Sequence, residues 1–95
     1  MARFSIESCD NFFSAVLKLE SIDDARLFFE DVLTVKELEA ISQRLEVATM
    51  LKEGKNYLEI SSRTGASTAT ISRVNKCLVY GGGGYNRVLE DNDEA

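Results

Sequence analysis

Ninety-five residues with 44% hydrophobic side chains, no proline and only six glycines, four of them in one run, point to a single all-helical domain rather than a disordered chain. Histidine is absent, and the two cysteines, Cys9 and Cys77, have no C-x-x-C spacing; this excludes a histidine base, a Ser-His-Asp triad, a zinc ribbon and a thioredoxin-type motif. The formal net charge of −5 would argue against nucleic acid only if it were evenly spread.

In chain order, Cys9, Phe12, Phe13, Val16 and Leu17 recur at steps of three and four, which predicts an amphipathic helix over about residues 8–20. Ser21 then offers an N-cap, with Asp24 at the third helical position imitating a capping box. The helix that follows places Ile22, Ala25, Phe28, Phe29, Val32 and Leu33 on one broad face. Thr34 and Glu37 form T-x-x-E, in which each side chain satisfies a free backbone amide at a helix start. From there Leu38, Ile41, Leu45, Ala48 and Leu51 mark the longest helical pattern, about 20 residues or ~30 Å, which Gly54 would end with a left-handed cap. The adjacent pairs Phe12-Phe13, Val16-Leu17, Phe28-Phe29 and Val32-Leu33 make the early faces wider than one-sided packing needs. A homodimer is expected, the alternative being a compact monomeric bundle that buries both faces.

Residues 57–76 read as a short helix, a turn at Gly65 and a second helix starting near Ser67. Two helices crossing through a three- to four-residue turn need a glycine that tolerates positive φ and a small residue where they approach, here Ser61. Ile60, Ala66, Ile71 and Val74 would form the apolar contact between them. That leaves Thr68, Ala69, Ser72, Arg73 and Lys76 facing outward, short groups first and then cations. Short side chains let a helix sit deep in a major groove, where hydroxyls bond base edges and methyls meet thymine. With Ser67 as N-cap, the free amides and positive dipole of the helix start suit a phosphate. A helical hairpin without a DNA role is the plainer alternative.

After residues 1–80, the proposed helical domain, residues 81–95 read as a Gly-rich linker, a short helix over Tyr85 to Glu90 and an acidic tail, DNDEA. The glycine run is not a phosphate loop, because no Gly-Lys-Ser/Thr follows and no strand precedes it.

Charge is segregated along this plan. Residues 1–33 carry −4, residues 34–51 −1, residues 52–80 +3 and the last fifteen −3. The one positive block therefore coincides with the helix-turn-helix, which is the local pattern a phosphate backbone responds to; an ordinary solvated surface is the alternative. No segment has the roughly 20 apolar residues of a membrane span, and the N-terminus lacks the apolar centre of a signal peptide. The expectation is a cytoplasmic protein whose two cysteines are reduced and buried.

The segments LTVKELEAISQRLEVATMLKEGKNYLEIS and RTGASTATISRVNKCL, and above all Gly65 to Arg73, resemble the Trp repressor superfamily, specifically its small bacterial Trp-repressor-related members of the YerC/YecD type. The likeness spans about residues 20–80. It implies an intertwined, all-helical homodimer that presents two helix-turn-helix units to a palindromic operator. Carried over residue by residue, Arg44 and Arg73 match the two arginines that flank the family's indole ligand, and Thr34 matches a residue lining that pocket from the partner chain. Val74 stands where the family has glycine, and Cys77 where it has a serine meeting the ligand's amino end. The added isopropyl group takes up space and a thiol bonds less well than a hydroxyl, so tryptophan sensing does not carry over and no cofactor is expected. Arg44 would then pair with an acidic group on its own helix or on the partner, and Arg73 would contact phosphate.

The resulting reading is a non-enzymatic homodimer binding double-stranded DNA as a transcriptional regulator, with a dimeric protein-interaction adaptor as the alternative. Lys52, Lys55, Arg63 and Lys76 would position the backbone while Thr68, Ala69 and Ser72 read bases. The neighbouring acids Asp23-Asp24 and Glu37/Glu39 do not converge on one point of a helix and read as solvated helix starts.

Overall fold

A computed structural model describes residues 3–90 of the chain; the acidic DNDEA segment lies outside them. Among the described residues there are helices and no strands: a 3-10 turn (Ile6–Cys9), then α1 (Asp10–Val16), α2 (Ile22–Val32), α3 (Val35–Lys52), α4 (Tyr57–Thr64), α5 (Thr68–Tyr80) and α6 (Gly84–Val88). Two compact units divide between Leu38 and Glu39, within the first turns of α3.

In the first unit the predicted helix over residues 8–20 is shorter than its pattern. Its entry is a 3-10 turn, and its exit tightens through Lys18 N–H to Ala15 O and Leu19 N–H to Val16 O, both i to i−3 bonds. Phe12, Phe13, Phe28 and Phe29 hold this unit together, with the rings of Phe12 and Phe13 5.9 Å apart. Phe12 stacks on Phe28 (6.0 Å, 22°) and meets Phe29 edge-on (6.2 Å, 79°), while Phe28 and Phe29 form a second edge contact (5.3 Å). Pairs of this kind contribute about 0.5–1.5 kcal/mol each beyond the area they bury. No side chain in this unit is fully buried among the described residues, and Leu17, Ile22 and Leu27 are 85%, 69% and 68% exposed.

The helix starts are formed by the residues that the caps predict. The Ser21 hydroxyl accepts from Asp24 N–H, and the Asp24 carboxylate accepts from Glu20 N–H, one residue before the cap itself. Thr34 and Glu37 make the full reciprocal box, with Thr34 N–H donating to Glu37 Oε1 (2.8 Å) and Glu37 N–H to Thr34 Oγ1 (3.1 Å). At the far end of α3, Gly54 takes φ +84, with Gly54 N–H bonded to Leu51 O and Lys55 N–H to Met50 O. Those two bonds are the paired closure of a Schellman end.

The second unit contains the core: Val47, Ala48 and Met50 of α3, Ile60 of α4, Ala66 in the turn, and Ile71 and Val74 of α5. Leu51, Leu78, Tyr85 and Leu89 pack around it. The face of α3 expected to be covered was Leu38, Ile41, Leu45, Ala48 and Leu51. Within one chain Ala48 of this face is buried and Leu51 packs against the core, but the burial continues to Val47 and Met50, and Ile41 and Leu45 remain 50% and 42% exposed. The reason is that α4 and α5 pack on the C-terminal half of α3 from a side that the three–four pattern does not single out. The cysteines also depart from expectation: both are free thiols, but Cys9 is half-buried and Cys77 exposed.

Candidate nucleic-acid interface

α4 and α5 are joined by Gly65, Ala66 and Ser67, a three-residue turn of helix-turn-helix length. Gly65 has φ +76, and its N–H caps α4 by donating to Ser61 O at 2.9 Å. The turn is held internally by Thr64, whose hydroxyl donates to Ile60 O (2.8 Å) and accepts from Ala66 N–H (3.1 Å). Ser67 then caps α5 by accepting from Thr70 N–H at 3.1 Å. Ile60, Ala66, Ile71 and Val74, the apolar contact predicted for this hairpin, are all at most 2% exposed.

Burying Ile71 and Val74 turns the opposite side of α5 outward. Thr68, Ala69, Ser72, Arg73 and Lys76 are all exposed, as is the cap residue Ser67. No acidic residue stands in the first turn of α5, whereas α2, α3 and α4 carry Asp23 and Asp24, Glu37 and Glu59 there. The start of α5 thus keeps its positive dipole uncompensated. Of the other predicted cations, Arg63 is exposed in the last turn of α4 and Lys55 is half-buried beyond α3. Lys52 is exposed, and its Nζ donates to Asn86 Oδ1 of α6 at 2.8 Å.

Arg44 and Arg73 come together with Cys77 around a cavity of about 250 Å³, whose remaining walls are Thr70, Val74 and Tyr85. Thr34 belongs to the first unit, where its hydroxyl serves the capping box. Among the described residues Arg44 makes no ion pair: the only one joins Arg26 to Asp23 at 2.9 Å, and both are exposed. The expected partner for Arg44 on its own helix is not there among the described residues, because the positions three and four away are Ala40, Ile41, Val47 and Ala48, none of them acidic. Asp23, Asp24 and Glu37 are engaged in an ion pair or caps, and among the described residues no group of three or more acidic or thiol side chains could hold a metal.

Three residues of this region lay outside the sequence-based expectation. Thr70 and Tyr85 were not singled out as cavity residues, and Asn86, which holds Lys52, also donates to Leu78 O at 3.1 Å. An aromatic residue after a glycine run is the one available hint for Tyr85; Thr70 and Asn86 have none.

Residues 7–93 match the family model described as Trp repressor protein. The chain is 47% identical over 81 residues to the uncharacterized protein YerC of Bacillus subtilis (strain 168), covering 85% of this chain and 78% of that one. Among solved structures it is similar to a TrpR-like protein from Eubacterium eligens ATCC 27750, with a TM-score of 0.84, 54% identity, and coverage of 88% of this chain and 87% of that one. A second solved structure, from Staphylococcus aureus, has a TM-score of 0.84 and 42% identity, with 92% of each chain covered.

Proposed function

The chain belongs to the Trp repressor family, and on that basis we propose that it is a transcriptional regulator, a repressor, that binds double-stranded DNA as a homodimer through its helix-turn-helix. The observation that carries this reading is the outward side of α5: Thr68, Ala69 and Ser72 lie exposed beside Lys76, behind an N-terminus free of acidic groups. Thr68, Ala69 and Ser72 read base edges; Lys52, Lys55, Arg63, Arg73 and Lys76, with the cap at Ser67, position the phosphate backbone. One such helix reads few base pairs, so specificity comes from two half-sites related by the dimer axis. In the first unit the exposed Leu17, Ile22 and Leu27, and in the second the exposed Ile41 and Leu45, are apolar residues that a second copy would cover.

Tryptophan is not the expected effector. Val74 is buried in the core and also forms one wall of the cavity, and Cys77 offers a thiol to it. Any effector of this cavity would meet Arg44, Arg73 and Cys77, and the family resemblance adds Thr34 from the second copy. We assign no catalytic role: Asp24 and Glu37 serve helix starts and Asp23 pairs with Arg26.

The test is selection of bound fragments from genomic DNA, followed by gel shifts across a salt series. Thr68→Ala and Ser72→Ala are expected to change sequence preference at a cost of ~1–3 kcal/mol per lost base contact. Lys76→Ala should weaken every sequence alike and lower the salt slope by about one. Affinity without salt dependence, or no affinity, would favour a protein-interaction adaptor.

A further inference from the structure

The scaffold helix α3 meets the helix-turn-helix through apolar side chains and, among the described residues, through one side-chain hydrogen bond. Gln43 Nε2 donates to the carbonyl oxygen of Thr64 at 3.0 Å, and both residues are half-buried. Thr64 ends α4, so its carbonyl is one of the four that have no partner within the helix. The same amide nitrogen lies 3.9 Å from where a Cβ on Gly65 would stand, so it rests against the turn itself.

The apolar contacts among Val47, Ala48, Met50, Ile60, Ile71 and Val74 are strong but non-directional. A hydrogen bond has a preferred length and angle. We propose that Gln43 is a positioning residue for DNA recognition: its amide holds the α4–α5 turn against α3, and thereby sets the pose in which α5 presents Thr68, Ala69 and Ser72, without touching DNA itself. The inference rests on the DNA-binding reading above. Base edges are read only within about 0.5 Å and 10–20° of the productive geometry, whereas phosphate contacts by long cations tolerate more. Loosening the clamp therefore reduces base reading and spares non-specific binding. A protein whose reading pose is only partly populated binds its operator more weakly by that fraction.

The experiment compares a selected operator with a scrambled duplex of equal length, using the full chain at one salt concentration. Gln43→Met keeps the side chain's length and removes the donor, Gln43→Glu places an acceptor against the carbonyl, and Gln43→Lys returns a donor. For Gln43→Met the operator Kd is expected to rise about tenfold, the size of one lost hydrogen bond. The scrambled-duplex Kd should stay within about twofold and its salt slope should not change. Amide exchange at Gly65 and Ala66 should speed up relative to the core. Gln43→Glu should lose more, and Gln43→Lys should recover the ratio of the two affinities. A ratio unchanged in both Gln43→Met and Gln43→Glu, or a loss on both duplexes that merely follows the fall in Tm, overturns the inference. If the parent protein itself prefers no operator, the DNA-binding reading fails and this one with it; a parent that discriminates beside variants that do so equally well sinks only the clamp.

Discussion

At the level of single residues, four hydroxyl or amide side chains decide where helices begin. Ser21, Thr34, Asn56 and Ser67 each accept the N–H of the residue three positions later. Ser67 matters most, because the helix it starts carries the outward-facing Thr68, Ala69 and Ser72. Ser67→Ala removes the acceptor for Thr70 N–H and is expected to cost about 1 kcal/mol. For a domain of this size that is a fall in Tm of roughly 4–8 °C, measurable by thermal denaturation followed by circular dichroism. A Tm unchanged within error would mean that solvent satisfies that amide equally well. The caps at Ser21, Thr34 and Ser67 were legible from the sequence because the acceptor and donor are three residues apart; Asn56 became evident only in the folded chain. Gln43 was not legible, since its acceptor lies twenty-one residues away and a glutamine on a helix has no distinctive neighbour pattern.

The helices themselves show where a local pattern is sufficient and where it fails. Gly65 is the best example of sufficiency: a glycine between two apolar-patterned helices predicts a turn with positive φ, and φ is +76. Nothing approaches closer than 3.9 Å to the place of its missing Cβ, so the cost of Gly65→Ala is conformational rather than steric. It is expected to be about 1–2 kcal/mol, read from urea unfolding as a lower midpoint at unchanged m-value. A changed m-value would instead mean that the pairing of α4 with α5 had been altered. α3 is the example of failure. Its period of three and four identifies a helix correctly, yet Val47 and Met50 are buried while Ile41 and Leu45 are not. Both sets are apolar at helical spacing, and the sequence contains no reason for α4 and α5 to prefer one over the other.

Over the whole molecule, buried and exposed apolar residues are distributed very unequally. Every fully buried side chain among the described residues lies beyond Leu38, and the preceding unit has exposed leucines, isoleucines and valines around its phenylalanine cluster. A second copy covering that surface makes folding and association one process, so stability should depend on protein concentration. Sedimentation is expected to give twice the mass of the 10.6 kDa chain, and Tm should rise with concentration. The double substitution Leu17→Asp and Leu27→Asp should shift the chain to monomer and abolish operator binding along with dimerisation. A monomeric parent, or a charged double variant that still sediments as a dimer, would rule out this surface as the interface.

By itself the sequence determined the helical class, the caps at Ser21, Thr34 and Ser67, the turn at Gly65, the outward side of α5 and the family, because each depends on residues close together in the chain. Backbone amides, φ preferences and helical periodicity act over one or two turns, and a local reading can recover them. Tertiary structure alone decided which side of α3 is covered, that Thr70 and Tyr85 join Arg44 and Arg73 around the cavity, and that Gln43 reaches the turn. Those outcomes depend on which of several adequate apolar surfaces finds a partner first in space. Hydrophobic attraction has no direction of its own, so only the assembled packing selects among them.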